Sequence, residues 1–389
     1  MNLAVQYKYG AAEMPMMATG IVLVRSRTFA TLSCTMVLLS CSTVAAAELS
    51  ATQVPTSMRC VKATAKGKGG DDFSHVVYSA DCAVPTPSST EVLIGVRASS
   101  VNPVDWKILS GGFGARFPHV LGFDVAGVVV AVGSGCRRLK VGDAVWADLG
   151  KFWPLRGGEL GAYAEYAIAD EAQVGLKPRT MSFIDAASIP LVALTTLQSF
   201  RQMGLDTHGA NSTVVITSGS GGTGAVAIQM AKAYGAQKVI TACGTTTQAF
   251  CAELGADVVV DYHKGKSALW NAAGKDSVDF VYDNYGAKGT ADLAMPSLRS
   301  PGGVFLLLPG KDAKLSAHPR PGVKQINFGL CDSSDHADLD ALGALADAGH
   351  LAASVSHTFP LERVVAAFNV SYAGGAVGKL GICMNEPCA

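Results

Sequence analysis

The stretch TVVITSGSGGTGAVAIQMAKAYG, residues 213–235, restricts the fold more than any other part of the chain. Strand-like residues run into a loop with glycines at 219, 221, 222 and 224, and an apolar helical segment follows at once. Such a loop belongs at the carboxyl end of a buried parallel strand. Its glycines permit a tight turn and let the backbone approach a dinucleotide pyrophosphate, while the helix end supplies free N–H groups and its positive dipole. Ser220, Gly221, Gly222, Thr223 and Gly224 are therefore the candidate phosphate cradle. Gly224 sits where close helix–strand packing leaves no room for a side chain.

The following segments repeat the alternation. KVITAC (238–243) leads into TQAFCAELG (247–255), and DVVVDY (257–262), DFVYDN (279–284) and GVFLLL (303–308) are further short apolar runs. Strands of this kind interleaved with helices predict a doubly wound parallel sheet covered on both faces. The end of the second strand discriminates between nicotinamide cofactors, because NAD-specific sites place Asp or Glu there to bind the ribose 2′-OH. Counting on from Gly224 reaches Cys243, then Gly244, Thr245, Thr246 and Thr247. That stretch holds small donors and no carboxylate, so NADPH is expected, although it also lacks Arg and Lys.

Residues 58–180 read differently. Runs such as EVLIGVRASS (91–100), VAGVVVAVG (125–133) and DAVWADL (143–149) alternate with Gly/Pro turns and predict a partly open β-barrel or bent antiparallel sheet. MSFIDAASIPLVALTTLQSFRQM (181–203) has helical periodicity interrupted by Pro190. The tail returns to a helix (361–375) and a last strand (377–384). A chain of 389 residues accommodates two domains. The expected division is 58–180 for the first part of a catalytic domain, 181–330 for the cofactor domain, and 331–389 returning to the catalytic domain.

The first 57 residues stand apart. Arg25 and Arg27 precede an apolar, Ser/Thr-rich stretch that ends in AAA, and Glu13 is the only acid before Glu48. This reads as a cleaved targeting segment, for an organelle or the secretory pathway; an unused extension, leaving the protein in the cytoplasm, is the alternative. Ser, Thr and Cys interrupt it too often for a membrane span. Lys plus Arg equals Asp plus Glu at 31 each, so no global field recruits nucleic acid or an acidic membrane. A homodimer is the expected assembly. The ten cysteines are scattered without a C-x-x-C pair and are expected to be reduced and mostly buried.

Taken in order, SSVNPVDWKILSG (99–111), HVLGFDVAGVVVAVG (119–133), VGDAVWA (141–147), GAYAEYA (161–167), GSGGTG (219–224), LGADVVVDY (254–262), DFVYDN (279–284) and GGAVGKL (374–380) resemble the medium-chain dehydrogenase/reductase superfamily, specifically its zinc-free quinone oxidoreductase branch. The elements ADAGHL and SHTFPLERVVAAF look closest to reticulon-interacting mitochondrial and plant 2-alkenal or enone reductase relatives. The resemblance implies a GroES-like β-barrel catalytic domain built from both ends of the chain around a Rossmann domain. Zinc-dependent members carry Gly-His-Glu where this chain has Gly122, Phe123 and Asp124, and a ligand Cys near the first motif, where this chain reads Asn102-Pro103-Val104-Asp105. No Cys occurs between 137 and 242, where their structural zinc lobe would lie. A zinc site needs three or four converging N or S ligands, so none is expected.

Without zinc, hydride addition to an activated C=C or to a quinone is the easier chemistry, since one hydrogen-bond donor can stabilise charge developing on a conjugated oxygen. Candidate catalytic residues lie in NPVDWK. Asn102 could orient the nicotinamide or the carbonyl, Asp105 could fasten the loop, and Lys107 matches the lysine the resemblance implies for enolate stabilisation or ribose contact. Tyr262 and Asn284 match cofactor-contacting positions in the resembling reductases. Enoyl-thioester reductases of the superfamily carry a Tyr shortly downstream; here GGFGARF places Phe113 there, which weakens that alternative. A low-activity NADPH-binding accessory protein is the other alternative.

Overall fold

The computed structural model describes residues 54–385, except 70, 112–114, 151–160 and 311. The expected leader (but for its last residues) and Phe113 lie outside the described residues.

The phosphate-loop segment organises a six-stranded parallel sheet. Its strands are β9 (Thr213–Ile216), β10 (Lys238–Cys243), β11 (Val258–Asp261), β12 (Phe280–Asp283), β13 (Val304–Leu307) and β14 (Lys324–Asn327). They lie in the order β11-β10-β9-β12-β13-β14, every pair parallel. The order reverses between β10 and β12, and a crevice for a dinucleotide opens at such a point beyond the strands' carboxyl ends. Val214, Val215 and Ile216 are completely buried, as a sheet covered on both faces requires. β14, KQIN, lacks an apolar run because it lies at the sheet edge, and none of its residues is fully buried.

Both flanks of the chain supply the antiparallel part. β1 (Ser57–Ala63) pairs with β2 (Val76–Ala83) and with β4 (His119–Val120). A second sheet is built from β3 (Glu91–Val101), β5 (Asp124–Val132), β6 (Ala144–Asp148), β7 (Tyr166–Asp170), β8 (Gly175–Leu176), β15 (Val355–Pro360) and β16 (Lys379–Cys383). β16 pairs parallel to β15 and antiparallel to β3, so the last strand of the chain sits inside the sheet. This is the GroES-like and Rossmann α/β architecture expected from the sequence.

Pro190 falls at the first position of the helix Pro190–Met203, where its missing N–H leaves no hydrogen bond unmade. The shorter helix Phe183–Ser188 precedes it. Leu194, Leu197 and Phe200 pack against Ile216, Val226 and Tyr282 in one apolar core, and a second core gathers Ile94, Val125, Tyr163 and Phe368.

One expectation is corrected: the cysteines are not all reduced. Cys60 and Cys82 form a disulfide between β1 and β2. The register of the two strands shifts between Met58 and Cys60, and this places the two Cα atoms 6.1 Å apart, within bridging range. Cys243 and Cys251 are buried free thiols.

Candidate active site

The loop after β9 opens the helix Gly222–Ala233, whose N-cap is Gly221 with no side-chain cap. No side-chain cap takes its first N–H groups, and the dipole of a 12-residue helix favours an anion there. The glycines are fixed by their surroundings. A Cβ on Gly224 would lie 1.7 Å from the Ser218 carbonyl oxygen, and one on Gly219 would lie 2.4 Å from Thr241 Oγ1. Gly221 meets nothing closer than 3.7 Å. Glycine backbone, uncapped donors and a helix end together fit the pyrophosphate of a dinucleotide.

Asn284, just past β12, clamps this loop. Its Oδ1 accepts the Ser218 N–H at 3.0 Å, and its Nδ2 donates to the Ser218 carbonyl at 2.9 Å and to Thr223 Oγ1 at 3.2 Å. The residue selected for cofactor contact thus spends its hydrogen bonds holding the cradle.

At the end of β10, Gly244 caps a single turn Thr245–Thr247, with Thr245 and Thr246 exposed. Tyr262 is 58% exposed and tilts over His263 with ring centroids 4.2 Å apart. Its hydroxyl lies 3.5 Å from where a Gly244 Cβ would be, so Gly244, Thr245 and Tyr262 converge. The strand end carries no carboxylate of its own, but parallel register sets Asp261 opposite Cys243. Asp261 accepts the Thr245 hydroxyl at 2.6 Å and the His263 backbone N–H at 2.9 Å, and its carboxyl is held low, at about 2, chiefly by those bonds. Sequence reasoning confined to 243–247 missed it; the in-register pairing of KVITAC with DVVVD was the signal.

On the other side of the crevice lies a buried polar cluster. Asn102 caps the short helix Pro103–Lys107 and is completely buried, as are Asp105 and Asp124. Asp105 Oδ2 accepts the Asn102 backbone N–H at 2.6 Å and the Tyr163 hydroxyl at 3.0 Å. Asp124 Oδ2 accepts Ser100 Oγ at 2.8 Å and Asn102 Nδ2 at 2.7 Å, and lies 3.4 Å from Lys379 Nζ. Asp124 Oδ1 accepts the Leu191 N–H at 2.8 Å in the first turn of Pro190–Met203. Asp124 therefore ties the antiparallel sheet to a helix of the parallel half, a longer reach than fastening a turn.

Lys379 Nζ also donates to the Val101 carbonyl at 2.9 Å and to Asn102 Oδ1. Asp148, opposite Asp124 on β6, accepts the Gly150 N–H at 2.9 Å and lies 3.6 Å from Cys331 Sγ. Burial pushes Asp105 and Asp148 up to about 7, with Asp124 adding to both; burial lowers Lys379 while the carboxylates oppose that.

The structure thus joins Asn102 and Asp105 in one network, with both amide atoms of Asn102 engaged inside it. Lys107 stands apart and exposed, its Nζ 5.8 Å from the Trp106 ring centroid. Lys379, Tyr163 and Asp148 were not selected from sequence; VGKL and GAYAEYA contained two of them without marking their partners. Phe123 lies within the apolar core. Among the described residues no group of three or more His, Cys, Asp or Glu is placed to hold a metal ion.

Two family descriptions match the chain: "Alcohol dehydrogenase GroES-like domain" over residues 88–179 and "Zinc-binding dehydrogenase" over residues 254–380. A chloroplastic quinone-oxidoreductase homolog of Spinacia oleracea is 36% identical over 267 residues, covering 67% of this chain and 77% of the relative. A chloroplastic NADPH-dependent alkenal/one oxidoreductase of Arabidopsis thaliana is 32% identical, covering 80% and 76%. The mitochondrial NAD(P)H oxidoreductase RTN4IP1 of Bos taurus is 31% identical, covering 74% and 80%. Among solved structures, the quinone oxidoreductase from Coxiella burnetii superposes with a TM-score of 0.70 at 28% identity, covering 84% of this chain and 99% of that one.

Proposed function

We propose a reaction from the premise that the chain belongs to the medium-chain dehydrogenase/reductase superfamily, in its quinone oxidoreductase branch. It is an NADPH-dependent oxidoreductase that reduces the activated C=C of an α,β-unsaturated carbonyl, or a quinone. NADPH, when bound, supplies the hydride. The glycine loop and the N–H groups of Thr223 and Gly224 hold the pyrophosphate, Asn284 keeps their loop in place, and Thr245, Thr246 and Tyr262 meet the adenosine end. Lys107 is the charged group set to face negative charge developing on the acceptor's oxygen. Asn102 and Asp105 act from beneath, fixing the turn that carries it.

The reading extends to chemistry without a metal. The side chain of Phe123 has no lone pair to donate, and both amide atoms of Asn102 are engaged by Asp124 and Lys379. The observation that carries the proposal is this pairing of an uncapped glycine-lined helix end with a buried cluster in which Phe123 stands where zinc-dependent members have a ligand His.

A screen of the purified protein with NADPH or NADH against enones, quinones and an enoyl thioester tests it. Oxidation of NADPH by enones or quinones is expected; silence against both overturns it.

We further place the protein in a plastid or mitochondrion, as the names of the chloroplastic and mitochondrial relatives support, and among the described residues no helix is long and apolar enough to cross a membrane. Residues 1–57 fused to a fluorescent protein should direct it to one of these organelles. A homodimer is the proposed assembly, measurable as twice the chain mass by light scattering.

A further inference from the structure

We infer that Lys379 is a positioning residue that couples the phosphate loop to the substrate-side turn 102–107. The inference rests on the reading above, in which 218–224 holds the pyrophosphate and 102–107 borders the acceptor. On one side, the Lys379 ammonium holds the Val101 carbonyl, Asn102 Oδ1 and Asp124. On the other, its stem lies against the phosphate loop, since a Cβ on Gly222 would fall 2.9 Å from Lys379 Cδ. The backbone beside it joins the same loop: the Gly378 N–H donates to the Ser220 carbonyl at 2.8 Å, and Gly221 and Gly378 form a parallel bridge. The φ of Gly378 is +65°, and a Cβ there would lie 2.2 Å from the Ser354 carbonyl oxygen, so the approach to the loop is fixed in place.

One 5% exposed side chain therefore touches both halves of the proposed site. Balancing Asp124 alone would need only an ammonium somewhere near it, with no contact to the loop. A residue packed against the loop and bonded to Asn102 transmits displacement from one to the other, because packed side chains shift together. By linkage, filling the loop then tightens the turn, and filling the substrate side tightens the loop.

Hydrogen exchange of the full chain with and without NADP⁺ reads this directly. In the wild type, NADP⁺ is expected to slow exchange both in 218–225 and in 102–108. In Lys379→Met, which keeps the stem and removes the ammonium, slowing should persist in 218–225 and vanish in 102–108. Turnover of an enone or quinone should fall about tenfold in that variant, while NADPH affinity changes less than about threefold.

Lys379→Met leaves Asp124 buried without its cation, which can prevent folding. The double variant Lys379→Met/Asp124→Asn removes both charges and is read in the same way. Protection of 102–108 retained in the variant, protection confined to 218–225 in the wild type, or turnover and NADPH affinity falling together each overturns the inference. Absence of protection at 218–225 in the wild type overturns the loop assignment, and the inference with it.

Discussion

Asp105 keeps its Oδ1 buried with no hydrogen-bond partner, while Oδ2 takes the Asn102 N–H and the Tyr163 hydroxyl. A half-satisfied carboxylate out of water is easier to hold protonated, and its value of about 7 follows chiefly from that burial. The ordinary unfolded value is about 3.9, so folding takes up a proton. This contribution to stability is complete below about pH 4 and is lost as pH rises through about 7. Asp148 is raised in the same direction, chiefly by its own burial and then by Asp124. Asp105→Asn should remove part of this dependence: between pH 4 and 7.5 the wild type should lose several °C of melting temperature relative to the variant, roughly 2–4 °C for each kcal/mol. A melting difference flat across that range contradicts a proton taken up by Asp105 on folding. Asn284 makes a second prediction at this scale. Asn284→Ala unclamps Ser218 and Thr223, and titration calorimetry should show NADPH binding weakened about tenfold, the equivalent of one or two hydrogen bonds.

Among the elements, the phosphate helix depends most on one atom's worth of space. Gly224→Ala pushes a methyl group onto the Ser218 carbonyl, so the loop must shift; NADPH binding should be lost and stability should fall by about 1–3 kcal/mol in a denaturant titration. The disulfide between β1 and β2 closes a loop with a sequence separation of 22. Loss of the bridge in Cys60→Ser should lower stability by about 3 kcal/mol, seen as a fall in the unfolding midpoint relative to the oxidised wild type. The glycine loop, β9 to β13 and the helical break at Pro190 were legible because each is specified by its own neighbours in sequence. β14 was not, because an edge strand needs no apolar run. Nor was the Cys60–Cys82 bridge, since only the pairing of β1 with β2 brings the two residues together.

At the scale of the molecule, the fold was legible through motifs and the centre of the site was not. Lys379 meets Asn102 across a sequence separation of 277, and nothing in VGKL announces a cation for Asp124. Asp124 itself could be located in VLGFDVAG, but its bond to Leu191 crosses from one half of the fold to the other. Removing Asp124 alone, as Asp124→Ala, strands an ammonium in the interior. Such a change costs about 3–5 kcal/mol, which a chemical-denaturation curve would record as a large drop in midpoint. Asp124→Ala combined with Lys379→Met should recover much of that loss.

The place of β16 also governs when the protein can first exist as such. Residues 379–383 lie between β3 and β15, so β15 has no place in the sheet until residue 383 has been synthesised. The parallel half, whose strands end at residue 327 and whose core closes with Leu339, Leu342 and Leu351, can fold on the ribosome while its companion waits. Asp124 waits too, without a counter-ion. A nascent chain stalled before residue 379 should therefore present a protease-resistant 190–351 segment beside a cleavable amino-terminal flank. If the first residues address an organelle, the same wait recurs on the far side of the membrane, where the carboxyl end is the last part to arrive.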